Sequence, residues 1–328
     1  MMGQKKERMA WADTCKGLLI TLLMFSHLVW VAKNHGIDND LINNIDKYGG
    51  VWGCFFMSCF ILLSGMFSNF KKTAKDFFIS NFKVLIFPAL VSLFLFNLPN
   101  LDYSNFITMA LLYGGGFWFL TSLFLSKLFL WLCIRYLKKE WIIIAILIVM
   151  SFSGKILDEA ELFSNYWYHR NFLNFCLYLG IGYFFKDLIL NKIVGIASVI
   201  AFVLSVIPFL VMDIRIPNVV AFFNETLMQH PLTMWLSITG SIACVHVCKA
   251  IKSNEVLEFL GRNSLIVYIY HMIMLPECIS LLASSLNGNS IRGSMIPVFM
   301  IIVSTLVFCS GVAVALNTKY LRWMKGSF

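Results

Sequence analysis

Three ionisable residues lie at the entrance of, or inside, one apolar segment near the beginning of the chain. Asp13 and Lys16 stand at the entrance of the run Leu18–Val31, and His27 lies inside it. With its flanks, this run is long enough to cross much of a bilayer at about 1.5 Å per residue, which predicts a membrane helix. An ionisable group inside such a helix is costly and indicates a functional site by default. Neutral imidazole is suited to accepting a proton from a hydroxyl, and a fixed cation is suited to binding an anion.

The spacing of these residues places them on one side of the helix. At about 100° per residue, Lys16 and His27 differ by roughly 20°, and Asp13 lies within about 60° of both. His27 lies roughly 16 Å beyond Lys16 along the helix axis. We prefer a functional interpretation of this polar stripe. The alternative is that Asp13 and Lys16 merely pair at the interface while His27 bonds a neighbouring helix.

A second apolar run repeats this arrangement late in the chain. Ser264, Tyr268 and His271 follow spacings of four and three, so they share one helical face, and Arg262 lies at the predicted inner membrane edge. Two helices that each combine a cation at the surface with an imidazole further in predict a shared polar cavity.

Lys83 precedes an apolar stretch that ends at Pro88, where the missing backbone donor lets a helix bend. The lysine side chain could simply reach the inner membrane surface. Together with Lys16 and Arg262 it could instead hold the phosphates of an anionic cofactor entering from the cytoplasm. The sequence leaves both possibilities open.

The composition identifies the elements that must position these groups. The 328 residues are 59% hydrophobic and 13% charged, against roughly 25% charged residues in an average soluble domain. This predicts an all-α, polytopic membrane helical bundle that forms one domain over residues 1–328. Apolar runs between polar or Pro/Gly breaks give ten predicted crossings. They lie near 14–32, 49–69, 78–97, 106–134, 140–153, 171–190, 193–212, 231–250, 264–285 and 295–317.

Most Lys and Arg residues fall in alternate loops, which predicts that both chain termini are cytoplasmic. Positive loops at a membrane surface also explain the basic charge balance, so no nucleic-acid partner is expected. The nine cysteines show no C-x-x-C pair, which argues against a disulfide framework or a metal site. On a helix, His246 points about 200° away from Cys244, which favours ordinary packing at that cluster.

Several motifs in a fixed order resemble the membrane acyltransferase 3 family. The lysine at position 16 and the short chain look more like its fucose 4-O-acetylase-like branch. The motifs are Asp13-x-x-Lys16-Gly17 followed by His27, FILLSG at Phe60–Gly65, the stretch Lys83–Pro88, WFL at Trp118–Leu120, and LGRNSLIVYIYH at Leu260–His271. Many members carry two basic residues before the proline, whereas here the first of those positions is Ser80.

The resemblance implies an enzyme of a bacterial inner membrane. It would be an O-acetyltransferase that uses acetyl-CoA and modifies a sugar hydroxyl of an envelope or exported glycan, or of a lipid-linked sugar. His27 would be the general base, with His271 or Tyr268 stabilising charge or orienting the acceptor, and Asp13 orienting Lys16. Lys16, Lys83 and Arg262 would bind the donor.

Two other function classes compete with this interpretation. Buried His and Asp also serve as proton relays in transporters and flippases, which usually contain internal repeats, and none is evident here. A non-catalytic partner of a polysaccharide machine would retain the polar stripes only for packing.

Overall fold

The computed structural model describes residues 9–37, 40–97, 117–160, 167–217, 227–251, 254–287 and 295–326, and these residues form helices and no strand. The α-helices are α1 Ala10–Asn34, α2 Asp40–Gly53, α3 Phe56–Phe67, α4 Ala74–Asn81, α5 Phe87–Asn97, α6 Trp118–Tyr136, α7 Glu140–Glu159, α8 Trp167–Phe184, α9 Lys186–Ile189, α10 Lys192–Val211, α11 His230–Ala250, α12 Glu255–Arg262, α13 Ser264–Asn287 and α14 Met295–Leu316.

The all-α polytopic architecture predicted from the sequence is confirmed. Within the described ranges, nine helices or continuous helix pairs are long and apolar enough to cross a membrane. The predicted crossing at 171–190 corresponds to the 18-residue helix α8, which is not one of the nine. The predicted crossing at 140–153 is longer in the structure, where α7 has 20 residues. The first part of the predicted crossing at 106–134 lies outside the described residues.

Two of the predicted crossings are interrupted in the structure. The second is divided into α2 and α3 by a turn at Cys54 and Phe55. The third contains a π-helical turn at Phe82–Ile86 between α4 and α5. Pro88 follows that turn and has no N–H to donate to the preceding turn of the helix. The wider π-helical turn therefore forms just before the proline.

The short helix α12 lies across the first turns of α1. It is amphipathic, and the side chain of Asn254 caps its start by accepting a hydrogen bond of 3.0 Å from the backbone of Leu257. A Cβ atom on Gly17 would overlap the carbonyl oxygen of Leu257, and one on Gly261 would overlap that of Asp13. The two glycines therefore permit backbone-to-backbone contact, as small residues do at close helix crossings.

We call the end of the bundle that contains Lys16 and Lys72 the lysine end. The described chain begins near this end and returns to it. A Cβ atom on Gly326 would overlap the carbonyl oxygen of Lys83, and Trp323 packs against Phe87 with 6.4 Å between ring centroids. Both ends of the described chain thus lie on one side of the bundle.

Candidate functional site

His27 on α1 and His271 on α13 are in direct contact. The Nδ1 atom of His27 lies 2.6 Å from the Nε2 atom of His271. The ring centroids are 4.9 Å apart, and the ring planes differ by 18°. His271 is 1% exposed, whereas His27 is partly buried. The structure therefore brings together the two imidazoles that the sequence placed on separate helices.

The second nitrogen of His271 determines how protons are arranged in this pair. His271 Nδ1 lies 3.0 Å from the carbonyl oxygen of Val267. A carbonyl can only accept, so Nδ1 must donate, and the Nε2 atom of a neutral His271 is then an acceptor. His27 Nδ1 must therefore be the donor to His271 Nε2. Its own Nε2 atom is left with a lone pair, and no hydrogen bond to it occurs within the described ranges. His27 Nε2 is thus arranged to accept a proton, and His271 to orient the ring.

Neighbouring side chains contact the helical turns that contain the two histidines. Trp52 donates from Nε1 to the hydroxyl of Ser26 over 3.2 Å, which fixes the turn of α1 that contains His27. The ring of Tyr268 lies 6.1 Å from that of His271 between centroids, and its other side packs against Phe119 at 5.5 Å. Tyr268 therefore sits between the histidine pair and the WFL segment of α6.

A cavity of about 500 Å³ extends from the lysine end into the bundle as far as Tyr268. Its walls are mostly apolar and come from α1, α3, α4, α6 and α13. The polar residues in its lining are Lys16, Ser64, Ser68, Asn69, Lys72, Ser80, Asn81, Lys127, Ser264 and Tyr268. Three lysines and several hydroxyl and amide groups therefore surround one partly open space of a size suited to a small ligand.

The histidines themselves do not line this cavity. Ile20 and Leu23 of α1 line it, whereas His27 lies one turn beyond Leu23. Tyr268 lines the cavity, packs against Phe119 and also lies next to His271. The two histidines predicted to share a polar cavity are in contact and lie just beyond Tyr268, and their sharing of this cavity stays a prediction.

Asp13 and Lys16 occupy the wall at the lysine end. The side chain of Asp13 is 6% exposed, and its Oδ1 atom lies 3.9 Å from Lys16 Nζ. The Lys16 side chain is 34% exposed and lines the cavity. This arrangement matches the expected orientation of the lysine by the aspartate, and the functional role of both residues stays a prediction.

Lys83 and Arg262 are not placed at the cavity. Both side chains are exposed, and neither lines it. Lys83 lies in the π-helical turn, where its neighbours Val84 and Leu85 face the cavity instead. Arg262 follows Gly261, which contacts α1, and its own side chain is exposed. That these two residues bind the donor together with Lys16 stays a prediction, although neither lines this cavity.

Lys72 and Lys127 line the cavity together with Lys16. The sequence analysis did not identify either of them. Lys72 looked like one of several charges in a loop. Lys127 lies in an apolar helix, nine residues before its end at Tyr136, which is about 14 Å at 1.5 Å per residue. An ionisable residue at such depth is itself a functional signal. That rule, applied to Lys127 as it was to His27, would have identified it.

The comparisons with known proteins agree with the geometry. A family model described as an acyltransferase domain matches residues 9–317, which is nearly the whole chain. No curated protein and no solved structure matches the chain. The chain therefore belongs to the acyltransferase 3 family, and it is a membrane acyltransferase.

Proposed function

We propose that the protein is an O-acetyltransferase that moves an acetyl group from acetyl-CoA to a sugar hydroxyl of an envelope or exported glycan. The acceptor is a glycan or a lipid-linked sugar. Lys16 and the short chain support assignment of the protein to the fucose 4-O-acetylase-like branch of the family. The lysine end faces the cytoplasm of a bacterial cell, in its inner membrane, as the distribution of positive charge indicates.

The cavity supports this choice of donor. Coenzyme A is a polyanion with a long, narrow and only partly polar arm. Lys16 and Lys72 offer ammonium groups for phosphates near the mouth, and Lys127 offers a third charge deeper in the wall. The apolar lining beyond them, from Phe60, Phe119 and Leu120, suits the arm. In this arrangement the thioester approaches Tyr268.

The chemistry then requires one base and one charge stabiliser. His27 Nε2 takes the proton of the acceptor hydroxyl while the hydroxyl oxygen bonds to the thioester carbonyl carbon. His271 Nε2 accepts from His27 Nδ1–H and stabilises the imidazolium that forms. Tyr268 O–H donates to the developing oxyanion. The carbon–sulfur bond breaks, and the thiolate recovers the proton from the imidazolium, so that an ester and free coenzyme A result.

The observation on which the proposal depends is the contact between His27 and His271 directly behind the inner end of the cavity. A test gives radiolabelled acetyl-CoA to membranes that contain the protein, together with glycan extracted from the producing cells. Label that enters glycan and is released by mild alkali supports ester formation. Movement of a labelled solute without covalent change would instead support a proton-coupled transporter or flippase, and it would overturn the proposal.

A further inference from the structure

Cysteines from three separate helices meet inside the bundle. Cys15 on α1, Cys59 on α3 and Cys244 on α11 are buried, and their Sγ atoms all lie within 4.8 Å of one another. The Sγ atoms of Cys15 and Cys244 are 3.8 Å apart. These residues are far apart in sequence, so the spacing rules for paired cysteines could not detect them.

A fourth cysteine extends the cluster. Cys248 follows Cys244 by one turn of α11 and is fully buried. Residues four apart share one helical face, so both thiols of α11 point toward α1. We call Cys15, Cys59, Cys244 and Cys248 the thiol cluster.

The sulfur spacing matches that of a tetrahedral zinc site. With Zn–S bonds of about 2.3 Å, tetrahedral geometry places the sulfurs about 3.8 Å apart. The observed separation of Cys15 and Cys244 is 3.8 Å. The Cys59 Sγ atom lies within 4.8 Å of both. Four protein ligands with no open position are typical of structural zinc sites.

When the cysteines are reduced, burial restricts the cluster to two chemical states. Thiolates in an apolar interior require a cation, so the cysteines are either neutral thiols that pack as small apolar groups or thiolates bound to a metal. In the neutral state the Cys59 thiol donates to the carbonyl of Ser241 over 3.6 Å, which is a weak hydrogen bond. Only the metal-bound state gives each of the four sulfur atoms a strong bonding partner.

We propose that the thiol cluster binds one Zn²⁺ ion that ties α1 to α3 and α11. Four thiols lose their protons to solvent as four Zn–S bonds form, and no oxidation or reduction takes place. The ion fixes the part of α1 that contains Lys16 and from which the helix continues to His27. Its role is structural, because the cluster does not line the cavity.

The test uses the full chain purified in detergent under reducing conditions, loaded with Zn²⁺ and freed of excess metal. We expect one zinc per chain in the wild type, by elemental analysis. In Cys59→Ser and Cys244→Ser we expect zinc to fall to about a tenth or less. Cys309→Ser is the matched control, because Cys309 is equally buried but lies on α14 away from the cluster. It should retain the ion.

A second measurement needs no variant and stays valid where a substitution prevents folding. Co²⁺ in place of Zn²⁺ should give the visible absorption of a tetrahedral thiolate complex in the wild type, and Zn²⁺ should displace it. Absence of zinc from the loaded wild type, or zinc that persists in both cluster variants, would overturn the proposal. Because neither readout involves acyl transfer, failure here is distinguishable from failure of the proposed function.

Discussion

His27 Nδ1 and His271 Nε2 lie 2.6 Å apart, although 244 residues separate them in sequence. This contact assigns unequal tasks to two chemically identical side chains. His271 is anchored to the backbone carbonyl of Val267, so it can only receive the hydrogen bond from His27. The arrangement resembles a base and its orienting partner, with an imidazole in the place where a carboxylate often stands.

Replacing His27 by Gln should lower acetyl transfer by about 10² to 10⁴, because the side chain that accepts the hydroxyl proton is lost. The measurement is the rate of label transfer from acetyl-CoA, normalised to the amount of protein in the membrane. His35→Gln is the matched control, since His35 is exposed at the end of α1. A His27→Gln rate near that of the wild type would remove His27 from the base role.

Tyr268→Phe should lower kcat by about 10² while changing the KM for acetyl-CoA little, because the ring remains and only the donor to the oxyanion is lost. The packing of this ring against Phe119 is retained in the variant. Steady-state kinetics over a range of acetyl-CoA concentrations separate the two parameters. An unchanged kcat would show that the hydroxyl does not contact the reacting group.

Lys72→Met and Lys127→Met should each raise the KM for acetyl-CoA by about tenfold or more, since a charge-assisted hydrogen bond to phosphate is worth about 1.5–3 kcal/mol. Lys138→Met is the control, because Lys138 is exposed and does not line the cavity. Lys83→Met and Arg262→Met test the sequence-based expectation that these two residues bind the donor. A larger KM increase in these two than in the cavity variants would contradict the placement of the donor.

Gly17→Ala and Gly261→Ala should each lower the stability of the purified protein by about 1–3 kcal/mol, because the added methyl group overlaps a backbone carbonyl across the crossing of α1 and α12. The thermal midpoint in detergent measures this effect. Gly311→Ala provides the control, as no atom lies within 4 Å of the added Cβ. Equal midpoints for all three variants would refute the close backbone contact.

The sequence predicted the number and type of helices well, because membrane spans are specified by local apolar runs. It also placed His27, Tyr268 and His271 on inward faces, since helical periodicity determines which residues share a side. The chemistry of proline alone predicts an interruption near Pro88, and the structure has a π-helical turn just before it. These features depend only on residues close together in the chain.

Features that depend on which helices meet were not predictable in the same way. Arg262 was expected at the inner membrane edge with Lys16, and the structure shows that its neighbour Gly261 contacts α1 while Arg262 does not line the cavity. Lys72 and Lys127 became cavity residues only once α6 was placed beside the loop before α4. The thiol cluster likewise depends on contacts among three helices, which no spacing along the chain expresses.

The crossing of α12 over α1 has a consequence for biosynthesis. The first helix enters the bilayer early, whereas α12 and α13 are made late, just before α14. At about 5–20 residues per second, the 244 residues between the paired imidazoles take about 12–50 s to be made. Throughout that interval the polar side of the nascent first span lacks its final neighbours, so prematurely terminated chains should be recognised as incomplete by membrane quality control.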